Sequence, residues 1–334
     1  IQAQIQDISM VTGFSKDNKN GWNWDFSNAF GYNDFHYYGA GTFNASDIGN
    51  VTKTSFDDGG FNFLQNTTNF DLSKQFGTVN NGGLRVAYGA ELRYEAYRIN
   101  RGEVASYKAY PNTFGLQQAP GAQGFTGFSP EDEVDANRMV TGMYGDLEYT
   151  PSEAFLITGA VRFENYSDFG AVSTFKTSFR YKVTNNFNFR GSFSTGYRAP
   201  SLQQKYFSNT VSAFANGVLV QNRVANNNDE LTRLAGIPEL KQETSLNGSF
   251  GFTWKPTPAW SVSVDGYNIK MKDRVVLSGQ FTVTDPAIST ALRNKMLDLD
   301  VVASQFFANA VNTTNRGLDV VVSYKKSIKK DQSL

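Results

Sequence analysis

Alternation of apolar and polar residues with a period of two, sustained for a dozen residues at a time, most narrows what this chain can become. From Phe187 to Tyr197 the odd positions are Phe187, Phe189, Gly191, Phe193, Thr195 and Tyr197, and the even ones are Asn188, Arg190, Ser192, Ser194 and Gly196. Successive side chains of a strand point to opposite faces, so one face of this segment is apolar and the other polar. The same split sets Leu84, Val86, Tyr88, Ala90, Leu92 and Tyr94 against Arg85, Ala87, Gly89, Glu91, Arg93 and Glu95. It returns in Leu246, Gly248, Phe250, Phe252 and Trp254 against Ser245, Asn247, Ser249 and Thr253, and in Leu318, Val320, Val322 and Tyr324 against Asp319 and Ser323. The pattern predicts eleven strands, at 5–15, 21–33, 61–75, 83–99, 137–150, 154–166, 171–183, 186–198, 243–255, 260–273 and 312–325. Many run past ten residues, where strands of soluble sheets favour about five or six.

The connections have their own rhythm. Tight links at 16–20, 76–82, 151–153, 184–185 and 256–259 alternate with links at 34–60, 100–136, 167–170, 199–242 and 274–311, and only 167–170 among the latter is short. Short turns on one rim and long loops on the other are the habit of outer-membrane barrels. Aromatics flank the short turns in pairs, Tyr149 with Phe155, Tyr181 with Phe187 and Trp254 with Trp260, as a membrane girdle requires. From Phe187 to Tyr197 the chain rises about 33 Å, and a tilt near 45° leaves about 23 Å along the membrane normal, close to the roughly 25 Å apolar band of such barrels.

Composition fits this reading. Aromatics reach 14%, with 28 Phe, 16 Tyr and 4 Trp, yet mean hydropathy is −0.41. A sheet with every second residue apolar reconciles the two. No window of about 18 apolar residues occurs, which excludes a helical span and leaves a span by strands. Cysteine is absent, which removes disulfides, thiolate zinc sites and cysteine nucleophiles. Lys+Arg and Asp+Glu balance at 31 each without a long single-sign run, so nucleic acid is not the expected partner. Soluble sandwiches and solenoids also use amphipathic strands, but a β-helix would repeat every 20 to 30 residues or so, and no such repeat is found.

From Phe163 onward the residues resemble the TonB-dependent receptor family. FENYSDFG (163–170), TFKTSFRYKVTNNFNFRGSFSTGYRAPSLQQ (174–204), PELKQETSLNGSFGFTW (238–254) and FANAVNTTNRGLDVVVSY (307–324) carry the likeness, with Gln242 where proline is usual. LRVAYGAELRYEAYRINRGEVASY (84–107) and the strand around Met143 to Tyr149 match more weakly. The resemblance implies an all-β, transmembrane antiparallel β-barrel of about 22 strands around a plug, of which eleven strands and no plug or TonB box are recognisable here. Residues 1–334 are then expected to be part of one barrel domain, with closing strands, plug and both termini supplied by a longer protein. The implied location is the cell outer membrane, crossed many times, and the implied partners are the TonB energy-transducing complex, the lipid bilayer and a small-molecule, saccharide or peptide ligand. Whether a surface lipoprotein caps the loops is left open.

Individual residues suggest no catalytic, cofactor or metal site. His36, the only histidine, reads as an incidental loop residue. Asp57–Asp58 and Glu131, Asp132, Glu133 and Asp135 are acidic loop clusters without the spacing of an EF-hand. Ser201, after Arg198, Ala199 and Pro200, has no histidine to activate it; Pro200 ends a strand and Arg198 faces the lumen. Arg85, Glu91, Arg93, Glu95, Arg162, Glu164, Lys176, Arg180 and Arg190 are expected on the lumen side, paired with one another and with a plug, each pair exposed and adding little stability. Tyr37, Tyr38, Tyr107, Tyr110, Phe114, Phe125, Phe128, Tyr206 and Phe207 in the long loops either grip a ligand or pack on each other. Residues 286–299 read as a helix starting at Pro286, a candidate lid. Energised uptake of a scarce or bulky ligand is the leading function, with a docking role in a larger surface assembly and a passive porin as the rivals; an enzyme ranks last.

Overall fold

A computed structural model describes residues 1–18, 21–47, 53–78, 81–110, 118–215, 218–325, 327–329 and 332–333. The chain opens with β1 (Gln2–Lys16), β2 (Asn23–Ala40), β3 (Ser55–Thr78), β4 (Asn81–Asn100) and α1 (Val104–Tyr107), then continues through β5 (Val134–Ser152), β6 (Phe155–Tyr166), β7 (Gly170–Thr184) and β8 (Phe187–Arg198). A loop region holds α2 (Leu202–Tyr206), β9 (Asn209–Ala215), β10 (Val218–Ala225) and α3 (Glu230–Leu234). Then come β11 (Glu243–Thr257), β12 (Trp260–Leu277), β13 (Phe281–Thr282), α4 (Thr290–Asp298) and β14 (Val301–Tyr324), followed by the short hairpin β15 (Ser327–Lys329) and β16 (Gln332–Ser333).

The wall is β1 to β8 in sequence order, then β11, β12 and β14, each antiparallel to its neighbour. All eleven expected strands are present. β1 lies at one end of the sheet order and does not meet the other, so the sheet is open. The tight link at 167–170 is a turn that Gly170 closes with φ +96°, a conformation that costs glycine nothing.

One face of the wall is apolar and bare. Leu92, Met143, Val161, Phe163, Leu318 and Val320 are all exposed on it, and Phe250 is 56% exposed. A contiguous apolar face of this extent, backed by a charged face, is one that meets lipid. At its short-turn end Trp260 packs on Tyr324 (4.8 Å), Phe155 on Tyr181 (6.4 Å) and Trp22 on Tyr88 (5.5 Å), which completes the girdle.

Near the long-loop end the alternation inverts. In β4 the even residues through Tyr94 face outward, but above it Tyr97 and Ile99 are buried on the inner face and Arg98 is exposed. Their β3 partners across the ladder, Phe63 and Phe61, do the same, and so does Tyr37 on β2. The lipid-facing row of β3 therefore runs from Leu64 to Phe76, and residues 55–63 rise above the membrane band. For this reason β2, β3 and β14 extend well past their predicted ends. A β-bulge between Tyr37 and Tyr38 leaves Asp58 as the extra residue of β3, since Tyr37 pairs with Gly59 and Tyr38 with Asp57.

Above the band the long loops form a second layer. β10 pairs in parallel with the upper part of β14, from Asn222 beside Ala303 to Ala225 beside Phe306, and β9 flanks β10. That hairpin belongs to the loop between β8 and β11, so it crosses over β11 and β12 to reach β14. Ala225, Leu231, Leu292, Met296, Val301 and Phe306 form a buried core from two separate loops.

Candidate functional site

The inner face carries a connected charge network. Arg93 on β4 pairs with Glu91 (2.9 Å), Glu95 (3.0 Å) and Glu164 on β6 (3.7 Å). Arg162 joins Glu91 (2.8 Å) and Glu164 (2.5 Å), and Tyr166 donates to Glu164 (2.7 Å). Arg138 on β5 pairs with Glu95, lies 3.7 Å from Asp168 and donates to the Pro200 carbonyl (2.9 Å); Lys205 on α2 closes the chain on Asp168 (2.8 Å). The Arg138 guanidinium also sits over the Tyr166 ring at 5.2 Å.

Glu91, Arg93, Glu95, Arg162 and Glu164 pair with one another as expected, but their expected exposure is not found. Glu95, Arg138 and Glu164 are buried, because the loop layer lies over them. Pairs so desolvated are not worth little when broken: removing one partner strands a buried charge. Arg138, Asp168 and Lys205 escaped the sequence reading, although Arg138 shares parity with the inward Tyr144 of the same strand. Lower on the wall, Arg190 is held by Asp265, Thr253 (2.8 Å) and Ser263 (2.6 Å). Arg85, Lys176 and Arg180 have no ion-pair partner among the described residues.

The YRAPS run is a joint rather than a reaction centre. Arg198, its side chain largely exposed, reaches Glu243 (3.5 Å), and Pro200 follows the end of the strand. Ser201 caps α2, accepting from the Gln204 N–H (3.0 Å) while the Gln204 side chain accepts from the Ser201 N–H (3.1 Å). Tyr197, expected on the apolar face, donates instead to Glu164 on the inner face. The β7–β8 ladder ends at Lys176–Ser194, where Thr195 Oγ1 takes the Phe175 N–H (3.0 Å), while β8 stays paired with β11 as far as Arg198–Glu243.

A roof of aromatics covers this network. Tyr37 stacks on Phe125 (4.6 Å), Phe125 meets Phe128 edge-on (5.8 Å), and Phe128 meets Phe207 (6.3 Å). Phe128 is 1% exposed, and Leu202 and Tyr97 are equally deep. Of the two readings left open for the loop aromatics, packing is the one realised for Tyr37, Phe125, Phe128, Tyr206 and Phe207. Tyr38 lies against His36 (4.7 Å), Tyr110 carries the Lys108 ammonium (5.2 Å), and Phe114 lies outside the described residues. Tyr107 lines a cavity of about 400 Å³ where three loops converge, with Lys108, Glu131, Gln221, Arg223 and Leu299.

Of the acidic residues expected in loops, Asp57 and Asp58 lie in β3 and Asp135 in β5, and most of the set is engaged. His36 Nε2 lies 2.6 Å from Asp57, Asp132 accepts from Ser129 (2.8 Å) and Ser208 (3.1 Å), Asp135 pairs with Arg98 (3.0 Å), and Glu133 lies 3.8 Å from Arg101. Among the described residues no three histidine or acidic side chains converge as metal ligands would. The predicted helix exists as α4, but it starts after Ser289, whose side chain accepts from the Leu292 N–H (3.1 Å), and not at Pro286. With Leu292 and Met296 fully buried, α4 packs into the loop core.

Comparison with known proteins agrees with this geometry. The chain matches the family described as TonB dependent receptor-like, beta-barrel over residues 5–328. Heme/hemopexin utilization protein C of Haemophilus influenzae is 27% identical over 125 residues, which is 35% of this chain and 16% of that protein. The siderophore receptor PirA from Acinetobacter baumannii superposes with a TM-score of 0.61 at 13% identity, covering 96% of this chain and 42% of that one. The RagAB peptide transporter gives 0.58 at 13% identity, covering 99% and 36%. The hemophore receptor HasR of Serratia marcescens, in a double-mutant form with its hemophore HasA and heme, gives 0.57 at 11%, covering 96% and 46%. The chain thus spans less than half the length of each of these relatives. At such identities the structural likeness speaks for the fold, and the match over 5–328 speaks for the family. By its wall, its lipid face and that match, the chain belongs to the TonB dependent receptor-like β-barrel family, a family of outer-membrane receptors and transporters.

Proposed function

We propose that this chain is part of the barrel of an outer-membrane transporter that takes up a scarce or bulky ligand with energy relayed by the TonB complex. The observation that carries this reading is the roof. Loops folded inward over a buried charge network suit a gated conduit better than the standing open pore of a passive porin. The open sheet edges suit a partial barrel domain, because backbone groups at membrane depth need the partners that further strands provide. A plug in the rest of the protein would engage TonB and meet Arg85, Lys176 and Arg180, which have no ion-pair partner among the described residues. The inner wall holds, orients and screens; no covalent chemistry is required of it, and we read the protein as a transporter rather than an enzyme.

The names of the relatives span heme, siderophores and peptides, so the ligand is sought among these and saccharides. Cells carrying the full-length protein are offered labelled members of each class, with and without a functional TonB complex. Accumulation of one class that requires both the protein and TonB is expected. Uptake indifferent to TonB, together with steady conductance in planar bilayers, would establish a porin. Stoichiometric co-purification with surface proteins and no uptake of any class would establish a docking role.

A further inference from the structure

Asp58 is a buried acid that neither the wall nor the roof network uses. As the extra residue of the β3 bulge it is turned out of the ladder, 0% exposed, and among the described residues neither carboxylate oxygen has a hydrogen-bond partner. A bare carboxylate is penalised heavily in such a place, and holding a proton relieves it.

The loop after β4 is stitched directly to this point. The Phe128 N–H donates to the Asp58 carbonyl (2.9 Å), the Gly102 N–H to the Phe128 carbonyl (2.9 Å) and the Glu103 N–H to the Asp57 carbonyl (2.8 Å). The Ala122 and Gly127 N–H groups both donate to the Ser106 carbonyl (2.9 Å each). The packing is tight enough that a Cβ on Gly127 would lie 3.1 Å from Asp58 Cα and one on Gly102 2.7 Å from its carbonyl carbon. Phe128, which leaves this joint, is also the centre of the aromatic roof.

The titratable and charged groups around Asp58 come from four elements. Asp57 is its neighbour on β3, and His36 on β2 is held by Asp57 (2.6 Å). Glu103 precedes α1 and is held by Lys53 (3.0 Å) from the β2–β3 connection. Burial, reinforced by Asp57 and Glu103 and opposed by His36, pushes the Asp58 carboxyl up to about 7.

We propose that Asp58 is a proton-operated latch on the loop roof: with the proton held the loop after β4 stays seated on the bulge, and with the proton lost the loop lifts away. The sign follows from the two states. When the loop lifts, Asp58 meets water and returns to its ordinary value near 3.8. The seated state is therefore fully favoured below that value, loses advantage as pH climbs from there to about 7, and gains no further penalty above it. The latch stands independently of which ligand the protein carries.

The test is hydrogen exchange on the full-length protein in lipid nanodiscs between pH 5.5 and 8.5, read as protection factors corrected for intrinsic exchange. In the unmodified protein, protection of the Gly102, Ala122, Gly127 and Phe128 amides should fall by on the order of thirtyfold across that range. Asp58→Asn should keep the low-pH protection throughout, Asp57→Asn should retain the fall, and amides in the middle of β8 should not respond in any form. An infrared band of a neutral carboxyl should be present in the unmodified protein, titrating near pH 7, and in Asp57→Asn, titrating lower because one charge that raises it is gone, which keeps the test independent of how well Asp58→Asn folds. Flat protection in the unmodified protein, the same fall in Asp58→Asn, or no such band would each overturn the latch.

Discussion

Within the membrane band, β4 turns Tyr88, Leu92 and Tyr94 outward and Glu91, Arg93 and Glu95 inward; a few residues higher, the same strand turns Tyr97 and Ile99 inward and Arg98 outward. The backbone geometry is the same in both stretches, and only the surroundings differ. Lipid outside and a polar lumen inside favour one parity, whereas water outside and a folded loop layer inside favour the other. The point of inversion therefore marks the membrane surface in the sequence. It also marks where the inner wall changes from a polar lining to the floor of an apolar core.

That contrast can be broken at its seam. The buried Arg138 joins both regions, since it holds Glu95 on the wall and the Pro200 carbonyl under the roof. Arg138→Ala should destabilise the full-length protein by about 3–5 kcal/mol, because it leaves the buried Glu95 with Arg93 alone and takes a cation from Asp168 and the donor from the Pro200 carbonyl. Denaturant unfolding in detergent micelles measures the loss, and Arg138→Met combined with Glu95→Leu should recover most of it. A loss below about 1 kcal/mol in the single variant would mean that water reaches this network, as the range for exposed pairs implies.

A smaller effect sharpens the comparison between faces of one strand. Phe250→Arg should cost about 2–4 kcal/mol in a bilayer, and Ser249→Arg, one residue away and inward, less than about 1 kcal/mol. Equal costs at the two positions would place both faces in the same medium and undo the lipid assignment. The smallest effect concerns the roof alone. Ser201→Ala removes the α2 cap, with an expected cost of about 1 kcal/mol, and should loosen Leu202 and Lys205 without changing protection in β8. Hydrogen exchange at α2 and mid-β8 separates the two.

The eleven wall strands, the short-turn girdle and the rhythm of the connections were readable because each is a local property. Alternation survives in the sequence wherever one medium bathes each face, as in Phe187 to Phe193. It misleads where the medium changes or the ladder ends: Tyr197 keeps the parity of Phe193 yet meets Glu164, and residues 34–40, 55–60 and 301–311 look like loops but extend strands. The strand pieces β9, β10 and β13 carried no readable signal, since their partners lie in distant loops. Arg138 was within reach by parity, but Asp168 meets it, and Lys205 meets Asp168, only after two loops have folded together.

By itself, then, the sequence determined an all-β chain of long two-faced strands, one face for lipid and one for a polar lumen, because side-chain direction along a strand is fixed by the backbone. Only the tertiary structure decided which loop aromatics become a roof, which charges are desolvated, and that Asp58 is shut in with no hydrogen-bond partner among the described residues. Burial depends on what the rest of the chain brings over a residue, and that is settled by contacts between segments far apart in sequence.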